Sequence, residues 1–534
     1  MCSINGITWK DLNVVKAMCR ANKSRGPDGT DFYISEGVTL GHNLLAINSD
    51  DIEASIQPKV SSKGTILAFN GEIYDVDQEE ELDTDYLHRN LDFYGMKFLR
   101  GLNGAFALAY VKGDILYLAR DHFGTRPMFW AKHEKGIIFS STIFGIIESK
   151  EIVPDLSNKN IEYFQRKIFS QNGRMTVYSN IHKLAPGEIM RYNLRTKTIE
   201  GYESVWEDWE IEPIDYNHFT YRSLVIDSVL RTARTKRKLG LLHSGGLDSN
   251  LIAAILGIGD TENFFSATLT YTHNPEMDDS PHRALMDEVN YASIVTQEYN
   301  IPHKIVTFRG TQDLVDEYSR RCIEISGSIF EDSYRAIPRL YLLEQMSKMG
   351  AKVVLSGDGG DEIFSGYNKH RMWIDPEDLT HRPQKHTVQQ EIEDNGYDKW
   401  FPLHVIANAH PITAKMFIEL LTSAETYLLR LDAYAGAFGM ENRVPFLYQD
   451  LVKYAMCIPL GKKLSYRSEE FRGINKYLIR EVFKDVLPEE IVTRKQKLGW
   501  TLPYWRRRIE QQRNRMRMDT NLLHTIVNEA KGEA

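Results

Sequence analysis

The chain has 534 residues, 42% of them hydrophobic and 26% charged, with a formal charge of -8 at pH 7. That length exceeds the size at which one hydrophobic core normally divides, so two domains are expected. The negative balance argues against a surface that coats nucleic acid, and no run approaches the 18 or more apolar residues of a membrane span, so neither partner is expected.

The chain opens Met1-Cys2. If Met1 is trimmed, as small second residues allow, Cys2 carries both a thiol and a free α-amine. The amine titrates at roughly pKa 7.7–8.0, so it can take the thiol proton directly or through one water. Cys19, Cys322 and Cys457 are scattered, with no CxxC pair or metal-like spacing. Lys10, Asp11 and Lys16 interrupt the first apolar stretch, so no signal peptide is expected. A reducing cytoplasm fits, and a thiol nucleophile survives there.

Through residue 200 the pattern is of short apolar strands, 65–69, 105–110, 115–118 and 136–139, broken mostly by Gly and Asp and interrupted by a helix over 82–93. Residues 202–216 are acidic and aromatic without periodicity and read as a linker. Beyond them helices are expected at 221–235, 250–258, 287–299 and 336–349. Strands are expected at 239–242, 264–270, 304–308 and 352–355. Such alternation predicts a parallel sheet covered on both faces. From about Ile412 the pattern is mostly helical, and the basic run from Arg506 to Arg517 reads as a solvated helix face.

Two glycine loops follow predicted strands. Ser244-Gly245-Gly246-Leu247-Asp248-Ser249 sits between a strand and a helix, where backbone N–H groups and a helix N-terminus attract phosphate. Ser244 and Ser249 add donors, and Asp248 can hold Mg²⁺ on the phosphates. No lysine follows the glycines, which separates this loop from GxxxxGK[ST]. It resembles instead the PP-loop of ATP pyrophosphatases. The second loop, Ser356-Gly357-Asp358-Gly359-Gly360-Asp361-Glu362, suits a metal–pyrophosphate site and a candidate base.

Together with Cys2, these loops and further blocks resemble glutamine-hydrolysing asparagine synthetase. The blocks include Arg25-Gly26-Pro27-Asp28, Asn70-Gly71-Glu72-Ile73-Tyr74, Asp83-Thr84-Asp85, Arg120-Asp121-His122-Phe123-Gly124, Glu441-Asn442-Arg443-Val444-Pro445-Phe446-Leu447, Lys476-Tyr477-Leu478-Ile479-Arg480 and Lys497-Leu498-Gly499-Trp500. The resemblance implies an N-terminal-nucleophile αββα glutaminase sandwich over 2–205. It implies a parallel-sheet ATP-pyrophosphatase domain with a helical C-terminal part over 218–515, an α/β and α+β pair. Ammonia would pass between them through an internal channel.

By the same resemblance, Cys2 attacks the glutamine amide, Asn70 and Gly71 stabilise the oxyanion, and Glu72 and Asp83 hold the α-ammonium. Adenine rests on Leu242 and Thr268, and Ser356 and Gly357 contact the nucleotide. Asp248 and Asp361 bind Mg²⁺ and pyrophosphate, Lys497 stabilises the charge developing at the α-phosphate, and Asp358 deprotonates ammonia. The expected substrates are glutamine, aspartate and ATP, and a homodimer is left open.

Two departures from the family pattern stand out. Leu44 replaces the arginine that pairs with glutamine's α-carboxylate, and leucine cannot form that bidentate contact. Tyr448 stands where Asp is usual, which bears on the surroundings of the acceptor.

Overall fold

The structure, a computed structural model, describes residues 1–76, 81–166, 173–259, 261–271, 279–329, 333–367, 370, 385–463, 475–494 and 519–529. Its N-terminal part holds two six-stranded antiparallel sheets. The first runs β10 (His182–Lys183), β8 (Phe129–His133), β9 (Gly136–Ser140), β1 (Ser3–Ile7), β3 (Thr39–Leu44), β2 (Gly29–Ile34). The second runs β12 (Thr198–Ser204), β11 (Glu188–Asn193), β7 (Ile115–Arg120), β6 (Gly104–Lys112), β5 (Ile66–Ile73), β4 (Lys59–Val60).

The period of two along a strand decides what each face buries. On β6, Ala107, Ala109 and Val111 pack inward with Ile4, Leu40 and Phe139 of the other sheet. Phe106, Leu108 and Tyr110 face the opposite way, where Leu87 and Leu91 of the helix Asp83–Tyr94 belong to the same cluster. The outer face of the first sheet, with Ile7 and Ile138, is covered by Val14, Val15 and Met18 of the helix Leu12–Ala21. These layers make a helix–sheet–sheet–helix sandwich.

The second domain is built on a five-stranded parallel sheet, ordered β15 (His303–Phe308), β14 (Phe264–Tyr271), β13 (Leu239–Leu242), β16 (Val353–Leu355), β17 (Glu441–Arg443). β17 falls in a stretch read as helical, and it is a strand because Glu441–Arg443 pair with Val353–Leu355. A three-residue edge strand leaves too short a run for alternation to register. The helix Leu247–Ile258 is buried from Leu247 to Leu256, which explains why its apolar residues go all the way round. The 27-residue helix Pro411–Ala437 is also deeply buried, and its charged residues Glu425, Arg430 and Asp432 are 0%, 1% and 0% exposed.

The expected linker is not a free tether. Tyr202 ends the first domain within β12, and Trp206 and Trp209 are each 1% exposed. Trp206 packs edge-on against Phe417, 5.3 Å between ring centroids, and its indole N–H donates to the Pro186 carbonyl. Burial of each indole contributes roughly 4 kcal/mol or more of gross hydrophobic gain. The aromatic residues that hid any periodicity are therefore there to pin the strap to both domains.

Candidate active sites

β13 is the strand at which the parallel sheet switches direction, with β14 on one side and β16 on the other. Ligands of open α/β sheets bind beyond the carboxyl ends of strands at such a point. The first glycine loop leaves β13 there and the second leaves β16, so both open into one cavity of about 650 Å³. Leu242, Ser244, Gly245, Gly246, Asp248 and Ser249 line it from one loop, and Ser356, Gly357, Asp358 and Asp361 from the other. Gly245 has φ +71°, and a Cβ there would lie 2.1 Å from the Glu288 carbonyl oxygen, so the turn admits only glycine. Gly246 caps the following helix with no side-chain bond, which leaves the first-turn N–H groups for a ligand.

The charges of the cavity are arranged around Lys476. Its ammonium lies 2.6 Å from Asp361 Oδ1 and is also ion-paired with Asp248. Asp248 Oδ1 is buried and accepts no hydrogen bond among the described residues. Two carboxylates already share one cation, and an unused oxygen lies beside them. This donor set fits Mg²⁺, which takes one or two carboxylates and completes its shell with phosphate oxygens and water. Among the described residues no group of three or more His, Cys, Asp or Glu could hold a metal without such help.

Arg335, Arg339, Arg430 and Arg480 add positive charge to the same walls. Arg430 is 1% exposed, yet its Nε and Nη1 have no hydrogen-bond partner among the described residues. A buried guanidinium with free donors beside a cavity suits an anionic ligand. Arg494 closes one wall by pairing with Glu288 at 2.6 Å. Glu362 also lines the cavity; burial, and then the Asp361 charge, push its carboxyl up to about 7.

The expected residues divide by position. Asp358 is bound on both oxygens by Arg339, at 2.9 and 3.2 Å, and also accepts from the Ser356 hydroxyl. Burial opposes its ionisation, but the Arg339 charge and hydrogen bonds prevail and hold it below the usual carboxylate range. Thr268 is set back from the cavity, its hydroxyl donating to the His243 carbonyl at 2.5 Å. Lys497 and the basic run 506–517 lie outside the described residues. Tyr448 does not face this cavity. Its hydroxyl donates to Asp75 in the first domain at 3.2 Å, so its departure from the family pattern bears on the domain border rather than on the acceptor's walls. Sequence reasoning gave no role to Lys476, Arg339 or Arg430. Lys476 stands in a block already matched to the family, and that block was the signal.

The second candidate site lies where β1 and β5 face each other near the domain border. Cys2 Sγ accepts from the Leu45 N–H at 3.4 Å, and burial pushes its thiol up to about 11. Met1 is buried ahead of it, its α-amine donating to the Met440 carbonyl of the second domain at 3.1 Å. Burial pulls that amine down to about 5. Asn70 on β5 is fully buried, and neither atom of its side-chain amide makes a hydrogen bond among the described residues. A Cβ on Gly71 would lie 2.0 Å from the Ala105 carbonyl oxygen.

Glu72 is held by the Asn48 amide on one oxygen and by Arg443 Nη2, 2.9 Å away, on the other. Burial, followed by the Glu441 charge, raises Asp83 to about 6. Leu44 is 5% exposed at the end of β3. Arg25 is a cation beside Cys2, already committed to Asp432 at 2.8 Å and to the Cys2 carbonyl at 3.3 Å.

Residues 220–525 match the family model described as asparagine synthase, and residues 1–203 match the glutamine amidotransferase domain. Asparagine synthetase (glutamine-hydrolysing) 3 of Bacillus subtilis is 25% identical, over 93% of this chain and 86% of its own. Asparagine synthetase B (glutamine-hydrolysing) of Escherichia coli is 25% identical, over 92% and 81%. The enzyme of Asparagus officinalis is 23% identical, over 90% and 72%. With both halves matched in order, and with two glycine loops meeting in one cavity behind an antiparallel sandwich, the chain belongs to the asparagine synthase family and carries its glutamine amidotransferase domain at the N-terminal end.

Proposed function

We propose that the protein makes L-asparagine from L-aspartate with ammonia taken from glutamine, through β-aspartyl-AMP, with release of AMP and pyrophosphate. The observation that carries this is the convergence of both glycine loops on one cavity in which Asp248 and Asp361 share a cation. ATP is the phosphate-bearing substrate. Asp248 and Asp361 would hold Mg²⁺, which when bound neutralises phosphate charge. An aspartate β-carboxylate oxygen attacks the α-phosphorus, the bond to the bridging oxygen breaks, and pyrophosphate leaves. Ammonia then displaces AMP from the acyl carbon. Arg430, with two donors unpaired among the described residues, suits an anionic group of the acceptor or nucleotide.

The resemblance assigns the ammonia proton to Asp358. Its bidentate bond to Arg339 suits it better to positioning that guanidinium. Glu362, near 7, is matched to taking up a proton at neutral pH. In the amidotransferase half, removal of Met1 moves the free amine onto Cys2. The thiol then adds to the glutamine carbonyl, ammonia leaves, and water hydrolyses the thioester. Asn70, buried with an amide that makes no hydrogen bond among the described residues, suits donation to the oxyanion.

The test incubates purified protein with ATP, Mg²⁺, a panel of carboxylic acids and either glutamine or ammonium chloride, reading AMP, pyrophosphate and the amide product by mass spectrometry. Aspartate-dependent AMP with asparagine is expected; ADP as the product rejects the mechanism. Pyrophosphate released only with another acid transfers the reading to a relative with a different acceptor. Leu44 favours one further variant, synthesis that runs on ammonium and only weakly on glutamine, because no guanidinium stands at that position.

A further inference from the structure

Arg443 belongs to the synthetase sheet, yet its side chain ends in the amidotransferase half. Its backbone pairs with Leu355 across β16 and β17, and its carbonyl accepts from the Ser356 N–H of the second glycine loop at 3.2 Å. Its side chain is fully buried. Nε meets Glu441 at 2.7 Å, Nη1 donates to the carbonyls of Thr232 and Arg234, and Nη2 donates to Glu72 Oε2 at 2.9 Å.

We infer that Arg443 is a positioning residue for glutamine capture: a guanidinium from the synthetase sheet orients Glu72 and favours its ionised form, the form that meets the α-ammonium of glutamine. This rests on the reading above, in which Glu72 meets that ammonium. The glutamine site is then incomplete without the second domain.

The charges around Glu72 explain why it needs such a partner. Asp83 approaches from the head of its helix and Glu441 from β17, both negative, and the Tyr74 phenol follows β5. Burial and these like charges push Glu72 well above the usual carboxylate range, and Arg443 is the cation that opposes them. A protonated Glu72 would lose its charge-assisted bond to an ammonium. Leu44 sharpens the dependence: a leucine at that position makes no bidentate contact with the α-carboxylate, so the ammonium end of glutamine carries more weight.

The experiment measures glutamine hydrolysis by the full-length enzyme from pH 5.5 to 9, separating KM from kcat. In wild type KM rises on the acidic side as Glu72 takes a proton. Arg443→Gln raises Glu72 further, so that limb moves to higher pH and KM at pH 7 increases about tenfold with kcat little changed. Arg443→Lys, which keeps the charge, returns the limb toward wild type. Glu441→Gln removes a neighbouring negative charge and shifts the limb the opposite way, to lower pH; it carries the test by itself if Arg443→Gln does not fold. Ammonia-dependent pyrophosphate release persists in all soluble variants.

Opposite displacements by the two glutamine variants support the role. Unmoved limbs, or shifts in the same direction, overturn it. No glutamine hydrolysis by wild type at any pH sinks the glutaminase reading together with this inference, whereas hydrolysis with unmoved limbs sinks only the inference.

Discussion

Under the proposed function Cys2 and Asp248 serve different reactions, and each therefore predicts its own failure. Cys2→Ala is expected to abolish glutamine-dependent asparagine formation while ammonium still supports it, read as AMP release with either nitrogen source. Equal loss of both activities would contradict the division of labour. Asp248→Asn removes one of the two carboxylates around the shared cation. Pyrophosphate release should fall at least a hundredfold while glutamine turnover continues, because charge stabilisation at such sites is worth several kcal/mol.

Glu362 yields a pH-dependent prediction. Its folded pKa, about 7 against an ordinary 4.5, is raised by burial and then by Asp361. The folded state thus binds a proton that the unfolded chain has already lost, and stability falls as pH rises between those values. Glu362→Gln should raise the thermal midpoint by a few degrees at pH 8 and leave it unchanged near pH 4.5. An equal change at both pH values would mean that packing, not charge, governs the site.

At the scale of elements, the turn between β13 and the helix Leu247–Ile258 forms one wall of the cavity in which the proposed function puts the phosphates. Gly245→Ala would force a left-handed residue and drive its Cβ into the Glu288 carbonyl 2.1 Å away. The backbone term alone costs about 1–2 kcal/mol. The larger effect is displacement of the loop, so the KM for ATP should rise at least tenfold with glutamine hydrolysis preserved. The helix Pro411–Ala437 has the complementary role of joining the domains. Glu425 is 0% exposed and accepts from both Arg120 and Lys183 of the first domain, at 2.9 and 2.6 Å. Glu425→Ala would leave two buried cations without their carboxylate, a loss of about 3–5 kcal/mol. It should lower the thermal midpoint and separate the unfolding of the two halves, which calorimetry would resolve as two transitions.

Across the whole molecule, the domains meet through buried polar pairs as well as apolar packing: Arg25 with Asp432, Arg126 with Asn442, Arg120 with Glu425 and Arg443 with Glu72. Such pairs are costly to break, because parting them leaves a buried polar or charged group without its partner. Local order determined much of this from the chain alone. The alternation around 239–355 yielded a parallel sheet because hydrophobic periodicity and connection length are short-range properties. SGGLDS and GDGGDE marked the ends of the strands that carry the cavity because tight turns leave a local signature.

Only the tertiary structure decided what meets what. That Lys476 lies between Asp248 and Asp361, that Asp358 is held by Arg339, and that Tyr448 faces Asp75 instead of the cavity depend on contacts between distant segments. The strap at Trp206 and the short strand β17 escaped the reading for the same reason: their conformations are set by the surfaces they pack on, which no local pattern of residues encodes.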